Sequence, residues 1–288
     1  MRGLKYILLI LFVLNLTFVW GQNLHVIAVK GNIKSKKLGK NLRPGDIIPS
    51  EDIVTFRDKD DFLTLYTVDG VRKFVAYPEK RFKKKKNIFN LPEVLKDGQP
   101  SIIPVNPELK ILEDSRLFFT TRPFLVLGGE MKMSLPKALF PMSKALFFYV
   151  NYDFKEDNID KKIEYKIDSL IIRKRDMFKI DGKEVDSKYA ENFKLYYYNQ
   201  PKTKHTLIGK WKPMFPIDER LREETDVLLN LLKQKNADDT LIVTEMAGFF
   251  NQHYGNVESE NFKKWIHDNY PTLTIPSPVP SATVETNK

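Results

Sequence analysis

The chain has 288 residues, 42% hydrophobic and 29% charged, which is apolar enough to exclude a disordered chain and long enough for two hydrophobic cores. Lys and Arg outnumber Asp and Glu by 47 to 37, a net charge of +10 that favours acidic partners, and the lack of any cysteine excludes disulfides, thiolate metal sites and a lipid-attachment thiol. At the start, Arg2 and Lys5 precede the nearly continuous apolar run 7–20, and the small residue Gly21 stands before Gln22. This layout is that of a secretory signal peptide over residues 1–21. A membrane anchor is the competing reading, but a spanning helix needs about 20 apolar residues and Asn15 and Thr17 interrupt this one. Cleavage after Gly21 predicts a periplasmic or secreted protein with no transmembrane span left in it.

Residues 22–80 read as a small β module. Short apolar runs such as LHVIAVKG, DIVTFRD, FLTLYTVDG and VRKFVAYP mix β-branched and aromatic residues at a period near two, which disfavours a helix. Pro44 with Gly45 and Asp69 with Gly70 supply turns, the latter pair being a hairpin signal between FLTLYTV and VRKFVAY. Strands this short and close together predict a small barrel or sandwich.

The order of residues across this stretch, Val29-x-Gly31-x-Ile33, then Leu42 with Gly45, Asp46 and Ile48, then Asp52, Val54 and Phe56, then Leu63, Leu65, Asp69 and Gly70, resembles the FecR-like β module. The resemblance implies a periplasmic β domain. In the full sensor family such a domain follows a cytoplasmic helical segment and one membrane span, and it relays a receptor signal to a sigma factor. Here only the targeting segment is read before residue 24.

Residues 81–110 read as a basic, proline-containing linker. The run Lys83, Lys84, Lys85 and Lys86 is either a solvated connector or an electrostatic contact for an anionic partner. Export and the lack of a recognised binding motif argue against nucleic acid. Pro92, Pro100, Pro104 and Pro107 rule out long helices and predict an extended surface connector.

Residues 111–216 read as a larger antiparallel β domain. Strict alternation of apolar and charged residues from Ile163 to Asp168 predicts one buried and one wet face, and Asp181-Gly182 is a second hairpin signal. Arg173, Lys174 and Arg175 predict an exposed edge or bulge. Aromatics gather at Phe147, Phe148, Tyr149 and Tyr152, at Tyr196, Tyr197 and Tyr198, and at Trp211. Tyr196, Tyr197, Tyr198 and Trp211 are candidate binding residues, for sugar rings or for a protein, although neighbouring strand positions face opposite ways, so that at least one of Tyr196 and Tyr197 is expected in the core.

After Pro216 the period becomes helical, giving a helical unit over residues 217–271. Leu221, Thr225, Leu228, Leu229 and Leu232 share the face of a helix that Asp218 can cap. Asp239 or Thr240 opens a second helix with Ile242, Met246, Phe249, Phe250 and His253 on one face, and Ser259 caps a third with Phe262, Trp265, Ile266 and Tyr270 inward. The tail, residues 272–288, is rich in Pro, Ser and Thr and reads as disordered.

No catalytic signature appears. The histidines His25, His205, His253 and His267 have no metal-ligand spacing, although His253 and His267 can meet across the last helix pair. No GxSxG, SxxK or phosphate loop is present. No metal and no cofactor are expected. These features together point to a mainly β fold with a C-terminal helical unit, and to a noncatalytic cell-envelope protein that binds an envelope protein or an anionic surface polymer. The alternatives are a cell-wall or glycan hydrolase, or a carbohydrate- or anionic-surface-binding module.

Overall fold

The computed structural model describes residues 23–68, 73–78, 87–97, 123–134, 140–166 and 168–275. These residues are mainly β, with helices towards the C-terminus and several antiparallel sheets, none of them closed into a barrel. Contacts divide the chain into two compact units, Met1–Pro100 with Arg222–Asp238, and Ser101–Leu221 with Asp239–Lys288.

The first unit is a two-sheet sandwich. Its strands are β1 (Asn23–Lys30), β2 (Ile33–Ser35), β3 (Ile47–Pro49), β4 (Ile53–Phe56), β5 (Phe62–Thr67), β6 (Lys73–Ala76), β7 (Ile88–Asn90) and β8 (Leu95–Asp97). One sheet runs β3-β1-β5-β6-β8 and the other β2-β4-β7, with every pairing antiparallel. Leu24, Val26, Ile33, Val54, Phe56, Leu63 and Leu65 form a common core between them. Each such side chain contributes on the order of 1.5–3 kcal/mol on burial. β5 and β6 pair as the hairpin signal requires, while the turn residues Asp69 and Gly70 lie outside the described residues.

Two buried carboxylates organise the loops of this unit. Asp52 accepts from the amides of Lys37 (3.0 Å) and Ile53 (2.7 Å) and from the hydroxyl of Ser35. Asp61 accepts from the amides of Arg57 and Asp58, each at 2.8 Å. Loop amides that no ladder can reach are satisfied in this way, which removes the cost of burying them unpaired.

Residues 88–97 depart from the linker reading. β7 pairs with β4, β8 pairs with β6, and the helical turn Leu91–Val94 between them buries Leu91 and Val94 in the core. Pro92 stands in the first turn, where its missing N–H costs nothing, so proline here starts a turn and does not mark an exposed connector.

Helix α1 (Asp218–Gln234) contributes Arg222 onward to the first unit. Leu221, Thr225, Leu228, Leu229 and Leu232 are all buried, as the spacing predicts. Within the unit Val227 lies over Gly45, and Lys235, just past the helix end, adds its charge to the burial that holds the His25 imidazole below its ordinary pKa.

The second unit is built on two antiparallel sheets with one aromatic-rich core. Its strands are β9 (Pro123–Leu125), β10 (Glu130–Ser134), β11 (Leu146–Phe154), β12 (Asp157–Lys162), β13 (Glu164–Lys166), β14 (Ser169–Arg173), β15 (Lys179–Ile180), β16 (Lys183–Glu184), β17 (Ala190–Asn199), β18 (Lys204–Lys210), β19 (Lys212–Met214) and β20 (Asn256–Val257). The four-stranded sheet runs β12-β11-β17-β18 and a three-stranded sheet runs β10-β14-β13. β15 and β16 form the hairpin expected at Asp181-Gly182, both of which have positive φ. A small parallel sheet, β19-β9-β20, is the exception to the antiparallel pattern.

Alternation dictates which side chains of the four-stranded sheet face inward. Phe148, Val150 and Tyr152 of β11 and Phe193, Leu195 and Tyr197 of β17 enter a core shared with Phe124, Met131, Leu170 and Ile172. The Tyr152 hydroxyl donates to the carbonyl of Met177 at 2.6 Å, and burial pushes its pKa up to about 12.

Arg173 is not an edge residue. β14 is the central strand of its sheet, and the Arg173 guanidinium bonds Glu130 (2.6 Å) and Glu164 across the neighbouring strands, which raises its pKa. Lys174 begins the helical turn Lys174–Met177, so the basic triplet ends a strand.

Helices α2 (Asp239–His253) and α3 (Ser259–Asn269) complete the unit. Ile242, Met246, Phe249 and Phe250 of α2 and Phe262, Trp265 and Ile266 of α3 are buried, as is Tyr270. The cap of α3 is Glu258 and not Ser259: its carboxylate accepts from the Asn261 amide at 2.6 Å. Gly255 lies between α2 and β20 at φ +107, with the Pro123 carbonyl oxygen 2.0 Å from where a Cβ would stand. Among the described residues no helix is long and apolar enough to cross a membrane.

Candidate functional site

The outer face of the four-stranded sheet in the second unit carries what the core does not need. Since Phe148, Val150 and Tyr152 point inward, Phe147, Tyr149, Asn151 and Asp153 point outward, and the antiparallel register sets Phe147 opposite Tyr198, Tyr149 opposite Tyr196 and Asn151 opposite Lys194. On the next strand Tyr198 faces His205 and Tyr196 faces Leu207; on the other side Tyr149 faces Lys162. Three strands, β11, β17 and β18, thereby bring six aromatic or apolar side chains onto one half-buried to exposed surface, and β12 adds Lys162.

These side chains hold one another. The Tyr149 and Tyr196 rings are stacked 5.2 Å apart at an interplanar angle of 11°, and Tyr198 stacks on His205 at 4.4 Å. Phe147 meets Tyr198 edge to face at 5.3 Å, and the Lys162 ammonium lies 4.1 Å from the Phe147 ring centre. The Tyr149 hydroxyl and His205 Nδ1 are 2.9 Å apart. Burial, with the nearby Asp160 charge, raises the Tyr149 pKa, so this phenol stays neutral and keeps a proton to donate.

Beside the aromatic rows lies a fixed polar patch. Asn151 Nδ2 donates to Asn158 Oδ1 (2.5 Å) and Asp160 Oδ1 (2.8 Å), and Asp153 accepts from Asn158 (2.9 Å) and Asn192 (2.7 Å). The two amides hold the Asp153 carboxyl below its ordinary pKa.

Past this patch the surface dips into a groove of about 870 Å³. Its lining includes the apolar Phe193, Trp211 and Phe215, the cationic Lys188, Lys194, Lys210 and Lys212, and the acidic Asp153 and Glu191. Lys194 and Lys210 stand opposite each other in the β17–β18 register.

Of the binding residues anticipated from the sequence, Tyr196 and Tyr198 lie on the outer face, while Tyr197 and Trp211 are core residues. Tyr197 donates to the Pro141 carbonyl at 2.5 Å, and Trp211 packs at 6.4 Å from both Phe124 and Phe193. Lys83, Lys84, Lys85 and Lys86 lie outside the described residues. Tyr149, Phe147 and His205 belong to the face although sequence reasoning did not select them; the parity of β11 relative to its buried Phe148 is the signal that identifies the first two.

His253 packs against Phe249 at 4.7 Å, and His267 is exposed beside Asp268. Among the described residues no three His, Cys, Asp or Glu side chains converge to hold a metal ion. Compared with known proteins, the chain matches no family model, no curated protein and no solved structure.

Proposed function

We propose that this is an exported, noncatalytic cell-envelope protein whose second unit binds a protein partner through the outer face of its four-stranded sheet. The observation that carries the reading is the way the aromatic rings are used. Tyr149 and Tyr196 cover each other's faces, Tyr198 and His205 do the same, and Lys162 lies over Phe147. A sugar-binding platform needs flat ring faces open to solvent, whereas here a neighbour takes one face of each stacked ring, and the rigid aromatic side chains have few torsions to freeze, as at protein interfaces. That difference favours a protein over a glycan. The leader-like residues 1–21 support export, and the FecR-like order of residues 24–77 supports an envelope setting for the first unit.

The test is retention of an envelope partner by the exported protein with Tyr149→Ala and Tyr196→Ala combined. Loss of a partner that the parent chain retains specifically, with folding unchanged by circular dichroism, supports the reading. Retention undiminished by the double substitution, or release of soluble fragments from peptidoglycan by the purified protein, overturns it. Sequencing the exported protein's N-terminus checks the export step, with Gln22 as the expected first residue.

A further inference from the structure

We infer that the groove lined by Phe193, Trp211 and Phe215 receives an extended polypeptide segment in which apolar and acidic residues alternate, its carboxylates meeting Lys194, Lys210 and Lys212. This inference rests on the reading of the second unit as a protein-binding unit and adds the chemistry of what it binds.

Three observations carry it. The first is a like-charge pair. Lys194 and Lys210 are directly opposite on neighbouring strands, and among the described residues neither has an ion-pair partner. Like charges placed so are destabilising, and an anion in the groove removes that cost. The second is the alternation of the groove's own wall. Along Lys210, Trp211, Lys212 and Pro213, cationic and apolar residues take turns. An extended segment with its own two-residue period presents carboxylates to the first set and apolar side chains to the second. A single alkyl chain ending in one carboxylate matches only one lysine and leaves the others unpaired.

The third observation is continuity. Asp153, Asn192, Lys194 and Lys210 line the groove and belong to strands β11, β17 and β18 of the four-stranded sheet, whose outer face carries the aromatic rows. Asp153, held by Asn158 and Asn192, and Glu191 also line the groove, and the Lys194 charge helps keep the Asp153 carboxyl ionised, but four lysines against these two acids leave the lining net positive. A volume of about 870 Å³ falls in the range of small-ligand sites and suits a few residues of a strand.

The probe is a fluorescein-labelled octapeptide of alternating Leu and Glu, with a Leu/Gln counterpart, titrated by anisotropy against the exported protein, against Lys194→Gln/Lys210→Gln and against Tyr149→Ala/Tyr196→Ala. The Leu/Glu peptide is expected to bind the parent protein at least about tenfold more tightly than the Leu/Gln peptide, to weaken about tenfold on the lysine substitutions, and to weaken further as salt is raised. Equal affinity for both peptides, or no change with the lysine variant, overturns the inference. Tighter binding of laurate than of the Leu/Glu peptide overturns it in favour of a lipid-derived anion. If the lysine variant binds the peptide normally while the tyrosine variant loses the envelope partner, the groove assignment falls and the protein-binding reading stands; if the tyrosine variant retains that partner, the broader reading falls as well.

Discussion

Asn261 grips Leu127 by both polar groups of its backbone: its Oδ1 accepts from the Leu127 amide at 3.0 Å and its Nδ2 donates to the Leu127 carbonyl at 3.4 Å. The same Nδ2 donates to the Glu130 carbonyl at 2.9 Å. One side chain of α3 thereby satisfies the turn between β9 and β10, where Gly128 and Gly129 adopt positive φ and no ladder partner is at hand. Asn261→Ala leaves these groups unpaired and is expected to destabilise the second unit by about 2 kcal/mol or more in denaturant titrations. Asn261→Asp keeps the acceptor, loses both donors, and is expected to be no better than Ala.

Gly255 is expected to be the least replaceable glycine of the second unit. Gly255→Ala combines a positive φ with a Cβ that the Pro123 carbonyl already occupies, so a loss on the order of 3 kcal/mol or more is anticipated. Gly182→Ala is the control. Its φ is also positive but its Cβ meets nothing within 4 Å, and the cost is expected to stay near the roughly 1–2 kcal/mol of the left-handed conformation alone. Thermal denaturation of the two variants side by side checks the contrast.

Glu258 makes the stability of the second unit depend on pH. Burial raises its pKa above the ordinary Glu value, so the unfolded chain gives up this proton first. Its contribution is fully present below the unfolded pKa and is lost as pH rises through the folded one. Glu258→Gln keeps an acceptor for the Asn261 amide without the buried charge. The stability of that variant relative to the parent is expected to increase from about pH 4 towards pH 7, whereas Glu258→Ala loses the cap and is weaker by about 1 kcal/mol. A denaturant series across that range separates the two.

Tyr152 and Tyr149 lie on opposite faces of one strand, and their substitutions are expected to separate stability from binding. Tyr152→Phe removes the buried donor to the Met177 carbonyl and is expected to lower the unfolding free energy by about 1–2 kcal/mol with partner binding intact. Tyr149→Ala is expected to abolish partner binding and leave most of the stability in place, since its ring is only partly buried. Paired denaturation and binding measurements on the two variants decide it.

Asp52 is the corresponding anchor of the first unit. Asp52→Ala leaves the amides of Lys37 and Ile53 and the Ser35 hydroxyl without their acceptor, and a loss of about 3 kcal/mol or more is expected for that unit. Hydrogen exchange localises the effect: amides of β2 and β4 are expected to lose protection while those of β11 and β17 keep theirs.

Local signals were legible in the sequence and pairings were not. The apolar stripe of Leu221, Leu228 and Leu232 is set by helical geometry within the segment, and the Asp181-Gly182 hairpin by the φ those two residues tolerate, so both were readable without neighbours. Alternation likewise told that Tyr196 and Tyr197 must part company. It did not tell that Tyr149 meets Tyr196 or that Lys194 meets Lys210, since these depend on the register between strands and on a bulge between Leu195 and Tyr196. Arg173 misled for a related reason: a charged residue in a strand reads as an edge until the acids of the flanking strands, Glu130 and Glu164, are placed beside it.

The division of α1 bears on how the protein is made. The unit that opens the chain also draws on Arg222–Asp238, which are synthesised only after all of Ser101–Leu221. The N-terminal sandwich therefore cannot finish assembling as it emerges, and until the late helix is made its folding stays incomplete. A polypeptide halted at Pro100 is accordingly expected to aggregate, and adding the separate 222–238 peptide in trans to rescue it.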